Sequence, residues 1–330
     1  MVGQNHGNRL QNYALQTVLE RMTGCRVETL KPCYGPNSAN QAAKAMLRHV
    51  IPQRRWARFA SFDARHMRFS THRMDDARLS DAGYDLFVIG SDQVWNPTFD
   101  ITGDAEYLPQ VEKDKKVAYA ASFGVDRVSD DDGHIGSLLN DIARISVREE
   151  AGQAIVRELS GCEAQLVLDP TLLLTAGDWL AVAQKPKLPV NMGSYQLTYA
   201  LGEGVIPQVD QTLDLVDLRD RNLPIGPAEF VWLIAHAACV CTDSYHAALF
   251  SLLMHTPFII YGRQSHNEDM SSRFETLAKQ FDLQMHREND GAKLMSSSQI
   301  DWDHIDRLRA YHRSQSTTFL EEALRDANLI

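Results

Sequence analysis

The sequence predicts an α/β protein of two parallel-sheet units facing one another across a cleft. Three observations carry this reading. Short apolar runs of strand length alternate with helical patterns over most of the 330 residues, and such alternation makes parallel sheets with right-handed crossovers. Several runs are continuously apolar, as strands are when helices cover both faces. The periodicity also breaks once, at Ala-Gln-Lys-Pro-Lys-Leu-Pro-Val-Asn (183–191), where prolines and lysines interrupt it. A boundary there divides the chain into 1–185 and 186–330, and open sheets of this kind bind ligands at the carboxyl ends of their strands.

In order, strands are predicted at 27–30, 84–90, 117–122, 145–147 and 165–168, then at 196–201, 213–218, 239–242 and 257–261. Leu10, Tyr13, Ala14 and Val18 share one helical face, as do Phe230, Leu233, Ile234 and Ala237. The segment 38–76 reads as a basic helical insertion. Within 44–73, Lys44, Arg48, Arg54, Arg55, Arg58, Arg65, Arg68 and Arg73 stand against Asp63 alone, with Trp56, Phe59, Phe62, Met67 and Phe69 interleaved. Either a solvated hairpin packed by its aromatics or a surface for an anionic partner, such as a pyrophosphate-linked glycan carrier at a membrane face, accounts for this.

Composition narrows the class. Hydrophobic residues at 44% and charged residues at 23% describe a core-forming globular chain. A net charge of −10 argues against a nucleic-acid partner. No apolar run approaches the ~20 residues of a membrane span, and the opening Met-Val-Gly-Gln-Asn-His-Gly has no basic-then-apolar leader, so a cytoplasmic protein is expected. The five cysteines form no C-x-x-C pair, and Cys239 and Cys241 alternate within an apolar run. No His/Asp/Glu grouping has ligand spacing, Asp130-Asp131-Asp132 reads as a solvated loop, and no metal is expected. Dinucleotide, P-loop, zinc-protease and nucleophile-elbow motifs do not occur.

Four turns from strand end to helix concentrate polar residues. In the first, Gln4 to Tyr13, Gly7 turns the chain, Asn8 caps a helix and Arg9 falls in its first turn, against the dipole unless an anion is near. The second, Gly90-Ser91-Asp92-Gln93-Val94-Trp95-Asn96-Pro97, groups proton-transfer and hydrogen-bonding side chains beside a glycine; a structural turn around a buried Trp is the plainer reading. In the third, Arg148 ends a core strand and needs a carboxylate or an anionic ligand against desolvation. Glu149 is adjacent but points to the other face. The fourth, Thr242-Asp243-Ser244-Tyr245-His246, puts an imidazole in a first helical turn with Asp243 placed to orient the ring. Arg263 and Arg273 follow closely enough to converge on the same cleft.

Taken together, Gly7-Asn8-Arg9-Leu10-Gln11-Asn12-Tyr13-Ala14-Leu15-Gln16, the run from Tyr84 to Asn96 and Thr242-Asp243-Ser244-Tyr245-His246 resemble the polysaccharide pyruvyl transferase family. Ser146-Val147-Arg148-Glu149, Leu168-Asp169-Pro170-Thr171, Gly226-Pro227-Ala228-Glu229-Phe230 and the Asn267–Arg273 stretch add weaker matches, all in family order. The resemblance implies two Rossmann-like domains in a GT-B-like pair. The acceptor side would be 1–185, and the donor side 186–330 with a C-terminal helix. It implies transfer of the pyruvyl group of phosphoenolpyruvate to a sugar hydroxyl or diol in cell-surface polysaccharide assembly. Phosphoenolpyruvate is then a co-substrate, no cofactor is needed, and a glycan or lipid-linked oligosaccharide is the acceptor. Roles follow by position: His246, Asp92 and Asp243 catalytic; Arg148, Ser244, Arg263, Arg273 and Ser122 on the donor; Arg9, Asn12, Tyr13, Gln93, Trp95 and Asn96 on the acceptor. The chain departs from the family in carrying Ser244 where some members have arginine, and in a short 199–226 stretch. It also opens on the Gly-Asn-Arg segment where relatives have a strand first, so a sheet without its first strand, or a late recorded start, is expected. Two alternatives stay open: a nucleotide-sugar glycosyltransferase on the same architecture, and a non-catalytic glycan-binding member.

Overall fold

A computed structural model describes residues 4–32, 53–99, 103–202, 204, 206–262, 271–287, 293–296 and 300–330. The chain enters through helix α1 (His6–Thr23), whose N-cap is Asn5, its side chain accepting from Asn8 N at 3.1 Å. The helix therefore starts before Gly7, which corrects the expectation that Gly7 turns the chain and Asn8 caps it. Strand β1 (Thr29–Lys31), helix α2 (Gln53–His66) and strand β2 (Phe69–Arg73) follow, β1 and β2 forming a parallel pair.

Strands β3 (Phe87–Ile89), β4 (Lys116–Ala121), β5 (Arg144–Val147) and β6 (Gln165–Leu166) form a parallel sheet in chain order. Helices α3 (His134–Asn140), α4 (Glu150–Ser160) and α5 (Ala176–Val182) belong to this half. The second half contributes β7 (Tyr195–Tyr199), β8 (Asp214–Asp217), α6 (Pro227–Ala235), β9 (Cys239–Thr242), α7 (Tyr245–Leu253), β10 (Phe258–Ile260) and α8 (Ser271–Gln280). Strands β11 (Met285–Arg287) and β12 (Lys293–Ser296) and helix α9 (Trp302–Asp326) complete it. Its sheet runs β11-β12-β10-β9-β7-β8; the four strands β10-β9-β7-β8 are parallel, and β11 and β12 form an antiparallel hairpin at one edge. Strand order reverses between β7 and β9, the switch point at which open α/β sheets bind ligands.

All nine predicted strands form, most of them trimmed at one or both ends. The unpredicted β2, β11 and β12 are short and mixed in polarity. Alternation along β3 sends Phe87 and Ile89 into one apolar cluster, with Trp95, Tyr107 and Phe123, and Val88 toward the other. That second cluster is shared by both sheets, joining Leu10 of α1, Tyr119 of β4, Phe230 of α6, Phe250 of α7 and Phe319 of α9. Helix α9, assigned by sequence to 186–330, returns to the first sheet. There Arg144 donates to Asp326 at 2.6 Å and to Glu322 at 3.0 Å, and Leu168 N donates to Ser316 Oγ at 2.8 Å.

Of the basic insertion, 38–52 lie outside the described residues. In the remainder, Phe59 and Phe62 are buried, Arg55 donates to Leu218 O at 3.2 Å, and Arg58 pairs with Glu229 at 3.3 Å. Arg68 pairs with Glu20, and Arg73 with Asp75 at 2.8 Å. Four of its arginines thus have partners within the chain, Arg55 buried and Arg68 and Arg73 at the surface. Among the described residues no helix is long and apolar enough to cross a membrane.

His6 shows how tightly α1 is docked. Its ring is fully buried, stacks on Phe230 at 4.7 Å, and lies 3.2 Å from Ile225 O and 3.3 Å from Tyr199 OH. The carbonyl can only accept, so Nε2 donates to it and Nδ1 accepts from the tyrosine. Burial, then the nearby Arg55 charge, push the imidazole down to about 3. An unfolded histidine binds its proton near ~6.5. Between those values the unfolded state holds more protons, so this stabilisation is complete above pH ~6.5 and is lost as pH falls toward 3. Urea midpoints should fall across that window, this group contributing up to ~1.4 kcal/mol per pH unit. His6→Gln should flatten the profile; an unchanged slope would show that another group governs it.

Candidate active site

The carboxyl ends of β3, β4, β5, β6 and β9 deliver side chains to one buried cluster. At its centre is Arg148, 1% exposed, just past β5. Nη1 donates to Asp169 Oδ2 at 2.8 Å and lies 3.4 Å from Ser91 Oγ; Nη2 donates to Asp92 Oδ1 at 3.2 Å. Glu149, expected from alternation to point away, has Oε2 at 3.8 Å from Arg148 Nε while Oε1 accepts from Phe123 N at 3.0 Å. The Tyr245 ring is within reach of two guanidinium groups, Arg148 at 4.9 Å and Arg273 at 5.6 Å from its centroid.

The local backbone explains the convergence. Asp92 has φ 75°, a left-handed conformation that few residues other than glycine adopt. It is held there by a bridge to Ala121, by Arg148, and by Asn8 Nδ2, which donates to its Oδ2 at 3.1 Å. Opposite, β4 bulges between Ala118 and Ala121, with Ala120 at φ 52°; Ser146 Oγ bridges the irregularity, accepting from Ala120 N at 3.1 Å and donating to Ala118 O at 3.0 Å. Gly124 (φ 67°) then passes so close to the Gln93 and Asn96 amides that a Cβ would lie 1.9 Å from Gln93 Nε2 and 2.8 Å from Asn96 Nδ2.

Helix α7 brings the second half in. Ser244 caps it, its Oγ accepting from Ala247 N at 3.5 Å, which puts His246 in the first turn at 7% exposure. His246 Nε2 lies 3.5 Å from Asp169 Oδ2. On its other side the ring meets Gly7, where a Cβ would sit 2.2 Å from Nδ1. Asp243, expected to orient the ring, has its carboxylate accepting from Leu201 N and Gly202 N at 2.6 and 2.7 Å.

The electrostatics follow from burial and pairing. Burial opposes ionisation of all three carboxyls. Asp169 nonetheless sits well below the usual carboxylate range through His246, Arg148 and the Thr171 amide, and Asp92 is lowered chiefly by Arg148. For Glu149 burial prevails over the pull of Arg148 and Arg273, so its carboxyl is raised. Burial also lowers Arg148, but Asp92 and Asp169 outweigh it and hold the guanidinium firmly charged. Arg273, buried with Arg148's like charge near, is pushed down to about 10. Several buried donors keep an open valence among the described residues: Arg148 Nε, Arg273 Nε, His246 Nε2, Gln93 Nε2 and Asn96 Nδ2.

The residues picked from sequence thus divide. Arg148, Asp92, His246, Arg273, Ser122, Gln93 and Asn96 come together, Ser122 being fully buried at the end of β4. Trp95 is 2% exposed and stacks on Tyr107 at 5.3 Å, beneath the turn. Arg9 and Tyr13 face α2: Arg9 lies 3.6 Å from Asp63, and Tyr13 packs edge-on to Phe62 and His66. Asn12 Oδ1 accepts from Thr29 Oγ1 at 2.7 Å. Arg263 lies outside the described residues. Sequence reasoning gave no role to Asp169 or Tyr245, and took Asn8 only as a helix cap. The α6 start at Gly226 is closed: Glu229 accepts from Gly226 N at 3.0 Å, and a Cβ on Gly226 would lie 2.7 Å from Arg58 Cβ.

Comparison with curated proteins one by one gives no match. A family profile does: that of polysaccharide pyruvyl transferase matches residues 5–265. This match runs from Asn5, the cap of α1, past every residue of the cluster except Arg273, and covers well over half of the chain, so the protein belongs to the polysaccharide pyruvyl transferase family.

Proposed function

We propose that the protein transfers the pyruvyl group of phosphoenolpyruvate to a sugar hydroxyl or diol, and that the Arg148 cluster is where it does so. In this reading the two sheets are the cores of a GT-B-like pair, 1–185 on the acceptor side and 186–330 on the donor side. The observation that carries it is that the buried Nε donors of Arg148 and Arg273 have no acceptor among the described residues. Buried donors of this kind call for an acceptor, and a substrate with a carboxylate and a phosphate supplies several. The covered start of α6 leaves less room for a nucleotide diphosphate there.

Ketal formation on a diol needs a proton delivered to the methylene carbon, two hydroxyl protons removed as the two sugar oxygens in turn bond to the neighbouring carbon, and phosphate stabilised as its bond to that carbon breaks. His246 is assigned the proton transfers, oriented by Asp169 and by contact with Gly7. Arg273 and the open edge of Arg148 hold the anion, with Ser122 and Ser244 at the ends of β4 and β9. Asp92, Gln93 and Asn96 set the acceptor edge, while Arg9 and Tyr13 support it by fixing α1 on α2. His246→Ala should stay folded and lose about 10²–10⁴ in turnover with phosphoenolpyruvate and the true acceptor. Near-normal turnover would remove His246 from this role. Phosphoenolpyruvate, but not inorganic phosphate at equal ionic strength, should raise the melting temperature. A rise with uridine diphosphate sugars alone would transfer the proposal to nucleotide-sugar chemistry.

A further inference from the structure

Glu149 belongs to the Arg148 cluster but not to the chemistry assigned to it. Its side chain is 0% exposed, and Oε1 accepts from Phe123 N at 3.0 Å. Oε2 has no hydrogen-bond partner among the described residues. Arg148 Nε, at 3.8 Å from Oε2, is too distant for a hydrogen bond and is itself open. From the other elements packed against the carboxyl, it is faced by Arg273 of α8, Tyr245 of α7, and Ser122 and Gly124 past β4. A buried acceptor with nothing to accept, beside buried donors with nothing to donate to, calls for an explanation.

Charge supplies one. Arg148 and Arg273 bring two positive charges, and Asp92 and Asp169, both held ionised, already balance them. An ionised Glu149 would add a third negative charge where burial makes it costly. It would also stand beside the open Nε donors meant to receive an anion, and like charges repel most strongly away from water. Protonation removes both objections. Oε1 can still accept from Phe123 N, while Oε2 changes from an acceptor into an O–H donor. The open groups, Oε2–H and the two Nε–H, are then all donors, which one anionic ligand can satisfy. Burial raises the carboxyl against the pull of Arg148 and Arg273, in the direction this requires.

Resting on the assignment of phosphoenolpyruvate to this cluster, we propose that Glu149 is a positioning residue that holds a proton whenever the donor is bound, so that the site takes the anion only with this carboxyl neutral. The proton comes from solvent, and Glu149 neither gives nor takes one in the transfer itself.

The test compares the whole chain with its Glu149→Gln variant, in which the amide oxygen still accepts from Phe123 N and a permanent donor replaces Oε2. Phosphoenolpyruvate binding is followed calorimetrically from about pH 7, above the ~6 at which a phosphomonoester takes its last charge, to about pH 9. Glu149→Gln should bind at least as tightly as the parent at every pH, the parent losing up to about tenfold per pH unit wherever Glu149 gives up its proton. Infrared spectra of the two proteins saturated with phosphoenolpyruvate should differ by a protonated-carboxyl band, present in the parent and missing from the variant. The inference is overturned if the parent lacks that band, if Glu149→Gln binds about tenfold or more weakly throughout, or if the variant does not fold. Each of these would mean that the negative charge is required. No binding by the folded parent would instead overturn the donor assignment, and this inference would fall with it.

Discussion

Replacing Arg148 with alanine is expected to destabilise the folded protein by about 3–5 kcal/mol, because Asp92 and Asp169 would be left buried without their counter-charge. The effect should appear as a lower urea midpoint at constant slope, before any question of substrate arises. Arg148→Lys keeps the charge but not the fork that reaches Asp92 and Asp169 together, so it should recover only part of the loss. Adding Asp169→Asn to Arg148→Ala removes one stranded charge and should restore stability, a non-additive outcome expected of directly paired groups. If Arg148→Ala unfolds within about 1 kcal/mol of the parent, the cluster is not held together as described. Loss of ligand binding in Arg148→Ala therefore has no meaning until the variant is shown to be folded.

Gly7→Ala carries the second large effect, with a sign opposite to the ordinary one. Inside a helix this change usually stabilises by roughly 0.5–1 kcal/mol. Here the new methyl would sit 2.2 Å from Nδ1 and 2.4 Å from Cγ of His246, so the ring or α1 itself has to move. Overpacking of that kind typically costs about 1–3 kcal/mol, and turnover should fall on the order of a hundredfold if His246 is the proton carrier and shifts by ~1 Å. In a His246→Gly background, which also removes the Cβ that would lie 2.9 Å from the new methyl, the clash is gone, and Gly7→Ala should become neutral or stabilising. A destabilisation that persists there would mean that Gly7 is required for some other reason.

What could be read from sequence, and what could not, follows from physical cause. The parallel sheets were legible because strands such as Ala-Tyr-Ala-Ala are apolar on both faces; β2, Phe-Ser-Thr-His-Arg, is polar and half exposed and carries no such signal. Arg148, Asp92 and His246 were legible because each stands just past an apolar run, where a charge has to be accounted for. Asp169 was not, since Asp-Pro-Thr is also what a plain capped turn looks like. It does cap one, Oδ1 accepting from Thr171 N at 3.0 Å, while Oδ2 turns to Arg148 and His246. The α1 residues, taken together from sequence, fall on two sides because a helix separates near neighbours. Asn8 and Asn12 share the side that meets Asp92 and Thr29, whereas Arg9 and Tyr13 share the side that meets α2.

The return of the last helix has a consequence for how the molecule is made. Ser316, Phe319, Glu322 and Asp326 complete surfaces on strands laid down some 150 to 200 residues earlier, as the bonds to Leu168 and Arg144 and the contact with Tyr119 record. On the ribosome, the first half must therefore wait, with part of its apolar surface uncovered, until α9 has been synthesised.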